Sequence, residues 1–241
     1  MDEYFIRGIK LHNADQSVYP FSIPAVQQIE SIKFNTPVTF FVGENGSRKS
    51  TLIESIAVEA GFNAEGGTKN YNFSSQDTTS SLKDAITLIR GFKREKYGYF
   101  LRAESFYTTA NYAENGTFGM YGPIPIMFNE KHIHEQSHGE AFLSIVEQFR
   151  PGLFIFDEPE SALSPQRQLV LMTAIHKLTK KGSQFIIATH SPILLSYPAA
   201  KIYQLSDKGI DECKFKDVEH VKLTRDFLNT PDRYLARLFN D

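Results

Sequence analysis

Val38-Thr39-Phe40-Phe41-Val42 runs directly into Gly43-Glu44-Asn45-Gly46-Ser47-Arg48-Lys49-Ser50-Thr51. An apolar run of strand length ends at Gly43 and a helix-like pattern begins near Lys49, the strand, loop and helix order that a phosphate-cradling loop needs. In such a loop the backbone N–H groups converge on the phosphates and the helix N-terminus adds partial positive charge. Lys49 reaches the β- and γ-phosphates of a nucleoside triphosphate, and the Ser50 hydroxyl ligates Mg²⁺.

One position departs from that pattern. Glycine is the usual residue directly before the lysine, because the backbone there comes close to the phosphates without a side chain in the way. This chain has Arg48. The arginine could crowd the loop, occupy the phosphate site with its guanidinium, or swing outward and contact a phosphate itself. Two expectations therefore stand apart: a fold built around a nucleoside triphosphate, and an ATP affinity that depends on where Arg48 goes.

Working outward, 241 residues suffice for a substantial core in one α/β domain. A formal net charge of −2 gives no basic excess of the kind that drives nonspecific nucleic-acid binding. The single cysteine, Cys213, rules out an internal disulfide framework and a multi-cysteine metal site, which fits a cytoplasmic protein. Met1-Asp2-Glu3-Tyr4 has no signal-peptide character, and no apolar run reaches membrane-spanning length, so direct membrane insertion is not expected.

Tyr4 to Leu11 and Ile29 to Phe34 alternate as strands of a mixed or antiparallel layer. Ser50 to Ala60 suits a helix ended by Gly61. Residues 63–81 are rich in Asn, Gly, Ser and Thr and read as a loop. Ser81 to Arg90 has helical spacing, Tyr97 to Ala103 reads as a strand, and residues 107–135 are irregular. An arm inserted at about 61–138 follows.

From Gly139 the pattern sharpens. Ala141, Phe142, Ile145, Val146 and Phe149 mark a helix face; Leu153 to Phe156 and Gln184 to Ala188 read as buried strands; Pro165 to Thr179 reads as a helix between them. Such alternation implies a largely parallel sheet with helices over its faces. Lys201 to Leu205 and Ile210 to Phe215 finish the sheet edge, and a helical tail runs from Val221 with Pro231 starting its last helix.

The chemistry-bearing residues lie at strand ends. Leu153-Phe154-Ile155-Phe156-Asp157-Glu158-Pro159 delivers two carboxylates beside the loop: Asp157 to hold Mg²⁺ directly or through water, Glu158 to polarise an attacking water. A strand followed by a solvated acidic turn is the plain alternative. Phe185-Ile186-Ile187-Ala188-Thr189-His190-Ser191-Pro192 puts His190 past another buried strand, where it can sense a γ-phosphate and orient water, or be simply structural. Ser161-Ala162-Leu163-Ser164 reads either as a subunit-contact loop or as an ordinary helix start with Pro165 in its first turn. Gln136-Ser137-His138-Gly139-Glu140 precedes a helix, so Ser137 is a candidate anion contact or a structural N-cap, and Gly139 permits close backbone approach.

In this order, the motifs resemble those of ABC-type ATPase heads, and in particular small stand-alone bacterial AAA-like ATPases with Ser-His-Gly-Glu in the signature position. The resemblance runs from the strand before Gly43 through Ser191. It implies an α/β P-loop NTPase fold of ABC-ATPase type: a mostly parallel sheet flanked by helices, with an N-terminal antiparallel β layer, in a single domain over residues 1–241. It further implies two heads facing head to tail in an ATP-dependent homodimer, each ATP between one copy's P-loop and the other's signature. By the same resemblance the loop Gly43 to Thr51 takes the phosphates, and Ser50 and Asp157 take Mg²⁺. Glu158 is the catalytic base, His190 the switch histidine, and Ser137, His138, Gly139 and Glu140 the signature. Glu104 falls at the family's Q-loop position, with a metal-side role.

Other readings remain beside this one. The fold could serve as a nucleotide-defective regulatory or interaction module, which Arg48 favours, or as the ATPase subunit of a transporter with a separate membrane chain. An effector protein and a nucleic acid are both open as targets. His132, His134 and His138 alternate on an irregular segment and read as a solvated loop rather than a metal site. Cys213 reads as an inert strand residue. Lys93-Arg94-Glu95-Lys96 reads as a solvated turn.

Overall fold

The computed structural model describes residues 4–11, 32–44, 46, 48–69, 86–103 and 138–239. Nine strands and six α-helices lie among them: β1 Ile6–Leu11, β2 Ile32–Lys33, β3 Val38–Val42, α1 Lys49–Glu59, β4 Ile86–Arg90, β5 Gly98–Arg102, α2 His138–Glu147, β6 Leu153–Asp157, α3 Pro165–Thr179, β7 Gln184–Ala188, α4 Pro192–Leu195, β8 Lys201–Ser206, β9 Gly209–Cys213, α5 Glu219–Asn229 and α6 Pro231–Phe239. Six strands form one sheet in the order β5-β6-β7-β3-β8-β9. All its neighbouring pairs are parallel except the antiparallel β8–β9 edge. A second, antiparallel sheet has the order β2-β1-β4.

The central strands are apolar on both faces because both faces are covered. On β6, Phe154 and Phe156 enter one cluster while Leu153 and Ile155 enter the other; on β7, Phe185 and Ile187 divide in the same way from Ile186 and Ala188. The period of two follows from side chains alternating across a strand. The first cluster packs the sheet against α2, α3 and α4, with Phe149 stacked on Phe154 and Phe154 on Phe185, both at 4.7 Å between ring centroids. The second packs it against α1 and the antiparallel sheet through Ile6, Ile9, Phe34, Phe41, Ile53 and Ile56.

Gln184, at the start of β7, joins the two sheets. Its buried side chain accepts from the Ile6 N–H at 3.0 Å and donates to the Ile6 carbonyl at 2.6 Å, serving β1 as a strand neighbour would.

Two sequence expectations need correction. Ser81 to Arg90 reads as a helix, but Ile86–Arg90 is strand β4, paired antiparallel to β1. Ile86 and Leu88 are buried while Thr87 between them is exposed, so the period is two and the partner strand decides the conformation. The turn at Lys93 to Lys96 is not wholly solvated either: the Glu95 side chain is buried, with Lys69 bonded to it and Arg90 3.6 Å away. A buried carboxylate needs such cations. The mostly parallel sheet, the N-terminal antiparallel layer, α1 ending before Gly61 at φ 94°, and the β8–β9 edge follow the expected pattern.

Candidate functional site at the carboxyl ends of the parallel strands

Parallel strands bring their carboxyl ends to one edge, so the turns after β3, β6 and β7 meet there. After β3 come Gly43, buried, and Glu44, exposed; Gly46 at φ 86° and Arg48 at φ 66°, ψ 26° both lie in the left-handed region. Asn45 and Ser47 lie outside the described residues. Arg48 is exposed, and its carbonyl accepts from the Leu52 N–H at 3.0 Å, opening α1. The physical reason glycine suits this position is therefore the dihedral: an L-side chain in that region costs on the order of 1–2 kcal/mol.

Lys49 is buried, and its ammonium donates to the carbonyls of Gly43 at 2.8 Å and Glu44 at 3.2 Å, closing the loop on itself. Burial pushes the Lys49 ammonium below its ordinary range, against the pull of Glu158, Asp157 and Glu160. Ser50 donates from Oγ to Asp157 Oδ1 at 3.2 Å. Thr51 follows in α1, half-buried, and its carbonyl accepts from Ser55 Oγ at 2.7 Å.

Asp157 is buried at the end of β6, with its Oδ2 3.9 Å from Arg102 Nε. Arg102 stands opposite Asp157 in the β5–β6 register and pairs with Glu54 of α1 at 2.9 Å. Glu158 turns out of the strand at φ 49°, ψ 52°. Its N–H donates to the Ala188 carbonyl at 3.0 Å, binding the turn to the end of β7. That conformation brings Glu158 Oε1 to 3.5 Å from His190 Nε2. Burial, followed by the Lys49 charge, lowers the His190 pKa while Glu158 pulls it back, so the neutral imidazole is favoured.

Ser161 and Ala162 belong to a 3₁₀ turn, Pro159–Ala162, and Ser164 N-caps α3 by accepting from the Arg167 N–H at 3.4 Å, with Pro165 in the first turn. The helix-start reading of this stretch accounts for its geometry. At the other motif, His138, Gly139 and Glu140 are already helical, in the first turn of α2, while Ser137 and Glu104 lie outside the described residues, as do His132 and His134. A Cβ on Gly139 would stand 2.6 Å from Arg167 Nη1 and 2.9 Å from the Ala162 carbonyl oxygen, so the close approach this glycine permits is to its own chain. Glu140, exposed, pairs with Arg167 Nη2 at 2.9 Å. Cys213 is half-buried with its thiol pushed up by burial, as an inert residue should be.

The structure thus brings Lys49, Ser50, Asp157, Glu158 and His190 together. Sequence reasoning missed three residues that share the site. Arg102 could have been found from its strand-end position beside Asp157. Glu160 was legible as the next acid after Asp157-Glu158-Pro159; it accepts the His190 N–H at 2.5 Å, and burial raises its pKa. His220, in the first turn of α5, has its ring centroid 6.1 Å from that of His190, and nothing local in sequence marks it.

A serine hydroxyl hydrogen-bonded to a buried carboxylate supplies two hard oxygens of the kind Mg²⁺ takes when water and phosphate complete its shell, so Ser50 and Asp157 fit that ion. No group of three or more acidic, histidine or cysteine side chains suited to an all-protein metal cage occurs among the described residues. No helix among them is long and apolar enough to cross a membrane.

Comparison with known proteins agrees with this architecture. The family described as "AAA domain, putative AbiEii toxin, Type IV TA system" matches residues 141–196. The tungstate uptake system ATP-binding protein TupC of Campylobacter jejuni is 23% identical over 89% of this chain and 74% of its own length. The energy-coupling factor transporter ATP-binding protein EcfA of Methanocaldococcus jannaschii is 29% identical over 39% of this chain and 37% of its own length. Against that relative the chain spans well under half of the longer protein. Among solved structures, cbiO1 of Clostridium perfringens, part of an ABC transporter complex, superposes with a TM-score of 0.50 at 15% identity over 95% of this chain and 97% of that one. An SMC head bound to the C-winged helix domain of ScpA does so with a TM-score of 0.50 at 13% identity over 87% and 98%. The fold is that of ABC-type ATPase heads.

Proposed function

We propose that this chain, an ABC-type ATPase head, binds Mg-ATP and hydrolyses it as a nucleotide-sandwich homodimer. The observation that carries the reading is the meeting of Lys49, the Ser50–Asp157 pair at 3.2 Å and the Glu158–His190 pair at 3.5 Å at the carboxyl ends of β3, β6 and β7. Lys49, now held by loop carbonyls, exchanges them for β- and γ-phosphate oxygens, and the α1 N-terminus adds its partial positive charge. Ser50 and Asp157 would hold Mg²⁺, which would draw negative charge off the phosphates when bound. Glu158 accepts a proton from the attacking water, and neutral His190 donates from its ring to the γ-phosphate and orients that water. His138, Gly139 and Glu140 would present the α2 N-terminus to the nucleotide held by the second copy; the resemblance assigns Ser137 to the same signature and Glu104 a metal-side role.

Equilibrium calorimetry with Mg-ATP, on this chain and on Arg48→Gly, tests the reading. Binding by the chain as it stands, or binding restored by glycine, upholds a nucleotide site. Absence of binding by both overturns it.

A second reading has its own observation: Arg48 at φ 66° and a lysine already satisfied by its own loop describe a P-loop that can rest without nucleotide. Under that reading the chain is a nucleotide-defective interaction module. The names of the relatives extend the first reading to an ATPase subunit serving a separate membrane chain, which co-purification of an integral membrane protein would support.

A further inference from the structure

Asp157 offers its two oxygens to different partners. Oδ1 accepts from Ser50 Oγ at 3.2 Å, while Oδ2 stands 3.9 Å from Arg102 Nε. Ser50 and Glu54 are four residues apart in α1, so they share the face of that helix turned to the ends of β5 and β6. Ser50 reaches Asp157 directly. Glu54 reaches it through Arg102, whose Nη1 donates to Glu54 Oε2 at 2.9 Å.

Arg102 is itself firmly placed. It is the last residue of β5, opposite Asp157 in the register, and the N–H of the following Ala103 donates to the Asp157 carbonyl at 3.2 Å. Nη1 also donates to the Ala64 carbonyl at 3.2 Å, in a stretch that Gly67 ties to β5 by two hydrogen bonds with Phe100, at 2.7 and 2.9 Å. The side chains of Arg102, Glu54 and Asp157 are only 20%, 14% and 8% exposed, so water and salt screen the trio little. A carboxylate as buried as Asp157 needs a cation beside it even before a metal arrives. The planar guanidinium fork can face two carboxylates at once, which a lysine's point charge cannot do in the same geometry.

We propose that Arg102 is a positioning residue for the metal side of the site: holding Asp157 by Oδ2 and α1 by Glu54, it keeps Oδ1 turned to Ser50, where Mg²⁺ would bind. The proposal rests on the reading that this site takes Mg-ATP. In this role Arg102 touches neither phosphate nor metal; it acts through Asp157 and Glu54, as groups behind a metal ligand orient that ligand. Its loss leaves Lys49 and the loop to bind phosphate and loosens the Ser50–Asp157 pair.

The test is ATP calorimetry in excess Mg²⁺ and in EDTA, on Arg102→Leu and Arg102→Lys, each in the chain as it stands and with Arg48→Gly. In Arg102→Leu the gain in ATP affinity that Mg²⁺ gives over EDTA should shrink about tenfold or more, while the Kd in EDTA stays within about twofold. Arg102→Lys, with one point charge for two carboxylates, should lose in the same direction, and it keeps the comparison open where leucine unfolds the chain. In the nucleotide-free chain, Asp157→Asn should raise the melting temperature more, or lower it less, when Arg102 is already leucine. An unchanged Mg²⁺ advantage, affinity that falls equally in Mg²⁺ and EDTA, or an Asp157→Asn effect that is the same with and without Arg102 would overturn the proposal. If no chain binds ATP in either buffer, the nucleotide reading fails separately, and the melting temperatures decide whether Arg102 holds Asp157.

Discussion

Two turns leave the central sheet at neighbouring strand ends, and each contains a non-glycine residue in the left-handed region: Arg48 at φ 66° after β3 and Glu158 at φ 49° after β6. The dihedrals are alike but their consequences differ. At Glu158 the strain is anchored by the N–H bond to Ala188, the Ser161 N–H bonded to its carbonyl and buried Pro159, and it delivers a carboxylate to within 3.5 Å of His190. Arg48 projects from an exposed loop at the position where glycine would adopt the same dihedral without strain. Strain in one turn aims a carboxylate at His190; strain in the other falls where, under the proposed function, a phosphate would approach. Unusual backbone is informative only with what it positions.

Three substitutions would break or sharpen that contrast. The largest effect belongs to Glu158→Gln, which keeps the size of the side chain and removes the proposed base. ATP turnover should fall by about 10²- to 10⁴-fold with Mg-ATP binding retained, and a closed dimer should accumulate in size-exclusion chromatography with saturating nucleotide. A variant that keeps its turnover would remove Glu158 from the chemistry. Next is Arg48→Gly, which relieves the second turn alone: urea unfolding of the nucleotide-free chain should show a gain of about 1 kcal/mol. A loss would mean that the arginine's own contacts outweigh its dihedral.

The smallest effect concerns the carboxyl beside this pair. Glu160 has a folded-state pKa raised first by burial, so its contribution to stability is present below the ordinary carboxylate range and is lost as pH rises through the folded value. Glu160→Gln cannot ionise. Its melting temperature relative to the parent chain should therefore climb as pH rises above the ordinary carboxylate range; a difference that stays flat would show that Glu160 is not strained by ionisation.

What could be read in the sequence follows from how local each signal is. β3, β6 and β7 are continuous apolar runs buried on both faces, so their burial is written residue by residue. The positions of Asp157 and His190 could be read because Asp157 ends such a run and His190 lies two residues past another. β4 was not, since Leu82, Ala85, Ile86 and Ile89 also satisfy helical spacing and only the distant pairing with β1 decides between the two. Glu160 hid beside a stronger motif. His220 lies in an amphipathic tail that presents exposed leucines and phenylalanines, and only the packing of α5 onto α4 brings it to His190.

The position of β3 also sets an order for synthesis. β3 precedes α1 in the chain, yet its two neighbours in the sheet are β7 and β8, formed by residues 184–188 and 201–206. β1, by contrast, has its strand partners β2 and β4 early in the chain and waits only for the Gln184 side chain that joins the two sheets. On a ribosome, the segment that carries the nucleotide loop therefore has no sheet to join until nearly all that follows it has emerged. A nascent chain stopped before β7 would contain every residue from Gly43 to Thr51 and still lack the strand that holds them in place.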